Sequence, residues 1–95
     1  MFNPIAWAKI RFKKFDQPIE EMSNDDKQLY LHKLLINADT IGIDDKIFQI
    51  IDSFEESYRK YLVLNIKFYA LYYIKNDKLR DEFYKKFFIK YYTKD

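Results

Sequence analysis

The chain carries one histidine and no cysteine, so His32 is where metal or base chemistry would have to start. On a helix its neighbours three and four residues away are Gln28, Leu29, Leu35 and Ile36. None is a carboxylate, and a metal held there lacks its second ligand. A partly exposed helix histidine is the expectation, with titration near neutral pH as the functional alternative. Nucleophilic catalysis would need Ser23, Thr40, Ser53, Ser57 or Thr93 beside His32, and nothing in their spacing brings one there. Asp52 and Glu56 stand four residues apart, the spacing of acid–base or di-metal carboxylates on a helix. Arg59 and Lys60 follow them and there is no E-x-x-H run, so a solvated charged face is expected. A single glycine cannot build a phosphate loop. No enzymatic activity, cofactor or metal is expected.

The stretch NADTIGIDDKIF, with Asp39, Gly42 and Asp44, has the flavour of a calcium loop. Ile41 occupies a ligand position before the glycine, and Phe48 stands where the bidentate glutamate belongs. The stretch therefore reads as a turn between helices. The same residues resemble the ADG-x-I-D turn of tellurite-resistance-type helical proteins; the likeness covers this turn alone and implies no function for the chain.

The elements that carry these residues follow from apolar spacing. Tyr61 to Ile74 (YLVLNIKFYALYYI) is nearly all apolar, interrupted by Asn65 and Lys67. A helix apolar on every side is enclosed. At 1.5 Å per residue this one spans about 21 Å, short of the roughly 30 Å of a bilayer core. It reads as the long central helix of a small bundle. Ile47, Ile51, Phe54, Tyr58, Tyr61, Asn65, Phe68 and Tyr72 alternate by four and three, a heptad seam. Glu55 with Arg59 and Glu56 with Lys60 are acid-before-base pairs that support a helix. Unbroken from Asp45 to Lys75, it would reach about 46 Å, against about 32 Å for a compact domain of this length. Either it breaks near Asp52 to Ser57, or it projects and a partner covers it. Asn65 is then either a satisfied core amide or a register-setting residue between paired helices.

Asn3 and Pro4 suit a helix start. A helix over Pro4–Phe15 is expected, although Ala8–Lys13 also alternates as a strand does. Asp16–Met22 reads as a linker with Pro18 as its stop. Ser23 caps a helix with Asp26 three residues on, and Leu31, Leu34, Leu35 and Ala38 give it a core face. Gly42 is a C-cap or turn residue. After a turn at Lys75–Lys78, Leu79, Phe83, Phe87 and Tyr91 repeat by four, with Tyr84, Phe88 and Tyr92 alongside. The fold class is all-α: one domain over residues 1–95, a bundle of three to four helices.

Charge is segregated along the chain. Residues 1–15 carry +4, residues 16–56 carry −8 and residues 57–95 carry +6, for a net +2. Aromatic residues make up 20% of the chain, more than a small bundle can bury. That surplus points to a protein interface, with Tyr84, Phe88, Tyr91, Tyr92, Tyr58, Asn65 and Tyr72 as its expected partner-binding residues. The expected function is a non-enzymatic protein–protein interaction module, self-associating or docking on another protein. Richness in Lys, Ile, Asn, Tyr and Phe suggests an AT-rich genome, and a phage or mobile-element inhibitor or adaptor that occludes a host protein. The alternative is a small nucleic-acid-binding regulator using its basic N- and C-terminal segments, with lysines and tyrosines interleaved for stacking. A membrane anchor over Phe2–Phe15 is a third reading and is not expected. The absence of cysteine and of a signal-peptide pattern fits a cytoplasmic protein.

Overall fold

The computed structural model describes residues 14–92, and all regular structure among them is helical. A 3-10 turn, Ile19–Glu21, lies within the expected linker. It is followed by α1 (Asn24–Ile36), α2 (Ala38–Ile41), α3 (Lys46–Asp52), α4 (Glu56–Tyr73) and α5 (Asp77–Tyr92). The expected N-terminal helix falls mostly outside the described residues; Lys14 and Phe15 are not helical, and the Phe15 ring stacks on Tyr30 at 4.8 Å.

Each boundary has a local chemical cause. Ser23 Oγ accepts the Asp26 N–H at 3.1 Å and starts α1, as its spacing predicts. Asp44 Oδ1 accepts the Lys46 N–H at 2.9 Å and starts α3. Asn76 Oδ1 accepts the Leu79 N–H at 3.1 Å in the first turn of α5. Gly42 follows α2 with φ 85° and ψ −178°, a region essentially restricted to glycine. A Cβ there would meet nothing within 4 Å. The cost of Gly42→Ala is therefore backbone strain alone, about 1–3 kcal/mol, to be read as a lower urea midpoint with native helix content retained.

The carboxylates of the calcium-like stretch are used inside the fold. Asp39 accepts the Lys75 N–H at Oδ2 and the Asn76 N–H at Oδ1, both at 2.9 Å. One side chain thereby ties α2 to the turn between α4 and α5.

The Asp45 to Lys75 stretch breaks at Ser53–Glu55. Ser53 Oγ donates to the Ile50 carbonyl at 2.6 Å, a back-bond that competes with continuation of the helix. Arg59 Nη2 donates to the carbonyls of Phe54 at 3.0 Å and Asp52 at 3.3 Å, serving acceptors left open beyond the end of α3. The break also separates Asp52 from Glu56. They belong to different helices and do not form a helical carboxylate pair.

One continuous core joins the helices. Leu31 and Leu35 of α1, Ile47, Ile50 and Ile51 of α3, Ile66 of α4 and Phe83 and Phe87 of α5 are fully enclosed. Phe83 stacks on Phe48 at 5.8 Å and on Phe87 at 5.5 Å. Lys27 is 8% exposed, its stem covered and its ammonium 5.2 Å from the centre of the Phe54 ring.

Candidate interaction face

Helix α4 is not enclosed on every side. Leu62, Val63, Ile66 and Ala70 are buried, as is Ile74 just beyond it. Tyr61, Leu64, Phe68, Leu71 and Tyr72 are each more than half exposed, Phe68 at 67%. Helices α1 and α3 cover one flank of α4 and α5 covers another. Nothing among the described residues covers the third, which departs from the enclosed helix the sequence predicts. The heptad seam changes role across the break: Ile47, Ile51 and Phe54 are buried, whereas Tyr61, Phe68 and Tyr72 face solvent.

Helix α5 extends this open face. Tyr84 O–H donates to the Lys67 carbonyl at 2.6 Å and fixes the two helices side by side. From Tyr84 an aromatic ladder runs along α5, stacked on Phe88 at 5.5 Å and edge-on from Phe88 to Tyr92 at 5.3 Å. Lys67 Nζ lies 4.8 Å from the Tyr92 ring centre, and Lys75 Nζ 5.1 Å from that of Tyr72. At the Tyr92 end, Val63, Leu64, Tyr91 and Tyr92 line a cleft of about 400 Å³, rimmed by Glu56, Arg59 and Lys60.

The expected partner-binding residues divide into two groups. Tyr72, Phe88 and Tyr92 lie exposed on the face. Tyr58, Tyr84 and Tyr91 are half-buried with their hydroxyls engaged internally. Tyr58 accepts from Gln28 Nε2 at 2.7 Å, and Tyr91 donates to Asp52 Oδ1 at 3.0 Å. Asn65 is half-buried at the edge of the face, its Nδ2 donating to the Tyr61 carbonyl at 3.0 Å. It is a satisfied amide, but not a core one. Leu64, Phe68 and Leu71 complete the face and were hidden in the sequence by an apolar run that distinguishes no side.

Burial also moves titrations. Desolvation raises Tyr91 well above its ordinary value, and the Asp52 carboxylate that accepts its proton raises it further. Tyr84 is raised by burial, and Tyr73 by burial and then by Tyr69 and Tyr72. His32 packs 4.7 Å from Tyr69 and 5.8 Å from Tyr73, and burial lowers its pKa below 6.5. Its stabilising contribution is complete above pH 6.5 and is lost as pH falls through the folded value, because the unfolded chain takes up the proton first. Urea midpoints measured from pH 7.5 down to pH 5 should fall more steeply for the native chain than for His32→Gln.

Among the described residues no three His, Asp or Glu side chains cluster as a metal site, and no helix is long and apolar enough to cross a membrane. The chain matches no known protein family, no curated protein and no solved structure.

Proposed function

We propose that this chain is a non-enzymatic protein–protein interaction module whose α4–α5 face covers, and so occludes, a surface of another protein. The observation that carries this reading is the contiguous open apolar face formed by Leu64, Phe68, Leu71, Tyr72, Phe88 and Tyr92. Full burial of a Leu or Phe side chain is worth about 1.5–3 kcal/mol. A continuous row of them facing water is the usual mark of a contact surface. Helix α4 is the organising element, with one flank in the core and the opposite flank on the face. Residue usage supports a phage or mobile-element factor acting on a host protein, and the cysteine-free composition supports action in the cytoplasm.

The test is affinity capture from a nuclease-treated native lysate with the native chain and with Phe68→Glu. One protein held near stoichiometrically by the native chain, and lost with a Phe68→Glu chain of unchanged circular dichroism, is the expected result. Capture indifferent to Phe68→Glu would remove the face from the account. Binding recovered only when nuclease and salt are omitted would favour the nucleic-acid reading.

A further inference from the structure

We infer that the face receives an acidic amphipathic helix of the partner protein. This deepens the proposed function and rests on it. The shape of the face fits a helix. Leu64, Phe68 and Leu71 follow one another by four and three residues along the flank of α4, and the α5 ladder forms the opposite wall. The space between two adjacent helices suits a third helix presenting apolar side chains at i, i+3 or i+4, and i+7. The cleft beside Leu64 and Tyr92, floored by Val63, offers its leading side chain an anchor.

Its charge fits acidic flanks. Lys60 and Lys67 run beside the apolar row on α4, Lys75 follows two residues beyond its end, and Lys85 stands one turn before Phe88 on α5. The acids on this side are Glu56 and Asp81. Asp77 is already paired with Arg80. An incoming helix flanked by Asp and Glu meets opposite charge along its length, which sets its orientation and speeds its encounter.

The same residues discriminate against other occupants. A second copy would bring Lys60 against Lys75 in an antiparallel pairing, and each of Lys60, Lys67 and Lys75 against its own copy in a parallel one. Glu56 and Asp81 are too few to offset that repulsion. Bases of a nucleic acid need open ring faces. Here Lys67 lies over Tyr92 and Lys75 over Tyr72, Leu64 and Leu71 offer no stacking, and Phe68 alone is too little for a run of stacked bases. A bilayer surface makes no use of the cleft.

The probe is a displayed library of random helical peptides, selected on the immobilised full chain and counter-selected on Phe68→Glu. Enriched peptides are expected to carry the apolar spacing with Asp and Glu flanks. A synthetic peptide from that pool should lose about tenfold in affinity, or about 1.4 kcal/mol, on the triple variant Lys60→Glu, Lys67→Glu, Lys75→Glu. Selection on that variant should enrich basic flanks instead. Phe68-dependent peptides with neutral or basic flanks would overturn the acidic partner and leave the interaction face standing. Failure to recover any Phe68-dependent peptide would overturn the helical partner, while Phe68-sensitive capture from the lysate decides the interaction module by itself. A Phe68-dependent dimer in sedimentation equilibrium would make a second copy the occupant. Phe68-dependent binding to phosphatidylglycerol vesicles or to mixed-sequence single-stranded DNA would equally overturn the proposal.

Discussion

Phe83→Ala is expected to cost the fold about 3–5 kcal/mol, the range for removing an enclosed aromatic ring. Phe83 is fully buried and lies between Phe48 of α3 and Phe87 of α5, with Tyr84 edge-on at 5.8 Å. Its loss opens a cavity where α3 and α5 meet, and enclosed Ile47, Ile50 and Ile51 leave little room for collapse. Small domains hold about 5–15 kcal/mol in total, so the variant should be partly unfolded in water or sit at a much lower urea midpoint. Phe68→Ala is the contrast. The ring is exposed, and a change within about 0.5 kcal/mol is expected. Urea titrations followed by circular dichroism read both. A Phe83→Ala cost below that of Phe68→Ala would contradict the placement of α5.

The second large effect concerns Asp52, at the end of α3. Its carboxylate accepts the Tyr91 O–H at 3.0 Å and pairs with Lys90 Nζ at 2.9 Å, drawing the C-terminal turn of α5 onto α3. Asp52→Ala leaves a half-buried phenol without its acceptor and should cost about 2 kcal/mol. The ion pair is partly exposed and contributes little of this. Tyr91→Phe should cost less, about 1 kcal/mol, because it removes the donor together with its need for a partner. The double variant should cost less than the sum.

The same hydrogen bond gives an alkaline signature. With the folded pKa of Tyr91 raised above 10.0, its contribution is complete below pH 10. Above that pH the unfolded chain releases the proton while the folded one retains it, so stability falls as pH rises. Tyr73 and Tyr84 act in the same sense. Tyr91→Phe should flatten the decline in midpoint above pH 10.

The all-helical fold was legible because apolar residues three or four apart recur from Leu31 to Tyr91, and the Ser23 cap because its hydroxyl acts only three residues away. The break at Ser53–Glu55 was legible only as one of two options. Length demanded a break or a projection, and the deciding bonds of Ser53 and Arg59 are tertiary detail. Which side of α4 stays open was not legible. Leu62 and Leu64 are the same residue type, and only the neighbours that arrive from α1, α3 and α5 separate them. Nor could sequence foretell that Tyr58, Tyr84 and Tyr91 spend their hydroxyls internally. Their acceptors and donors lie 30, 17 and 39 residues away. The same distance hid Asp39, which reaches 36 and 37 residues along the chain.

That Asp39 contact has a consequence for hydrogen exchange. Amides in a surface turn ordinarily trade their protons with solvent at nearly the unprotected rate. Those of Lys75 and Asn76 are each held by a carboxylate oxygen borrowed from α2. They exchange when the Asp39 carboxylate lets go. Two adjacent protons outside any helix thus record the release of the Asp39 contact, and Asp39→Ala erases their protection while leaving the helical amides of α4 and α5 to serve as an internal clock.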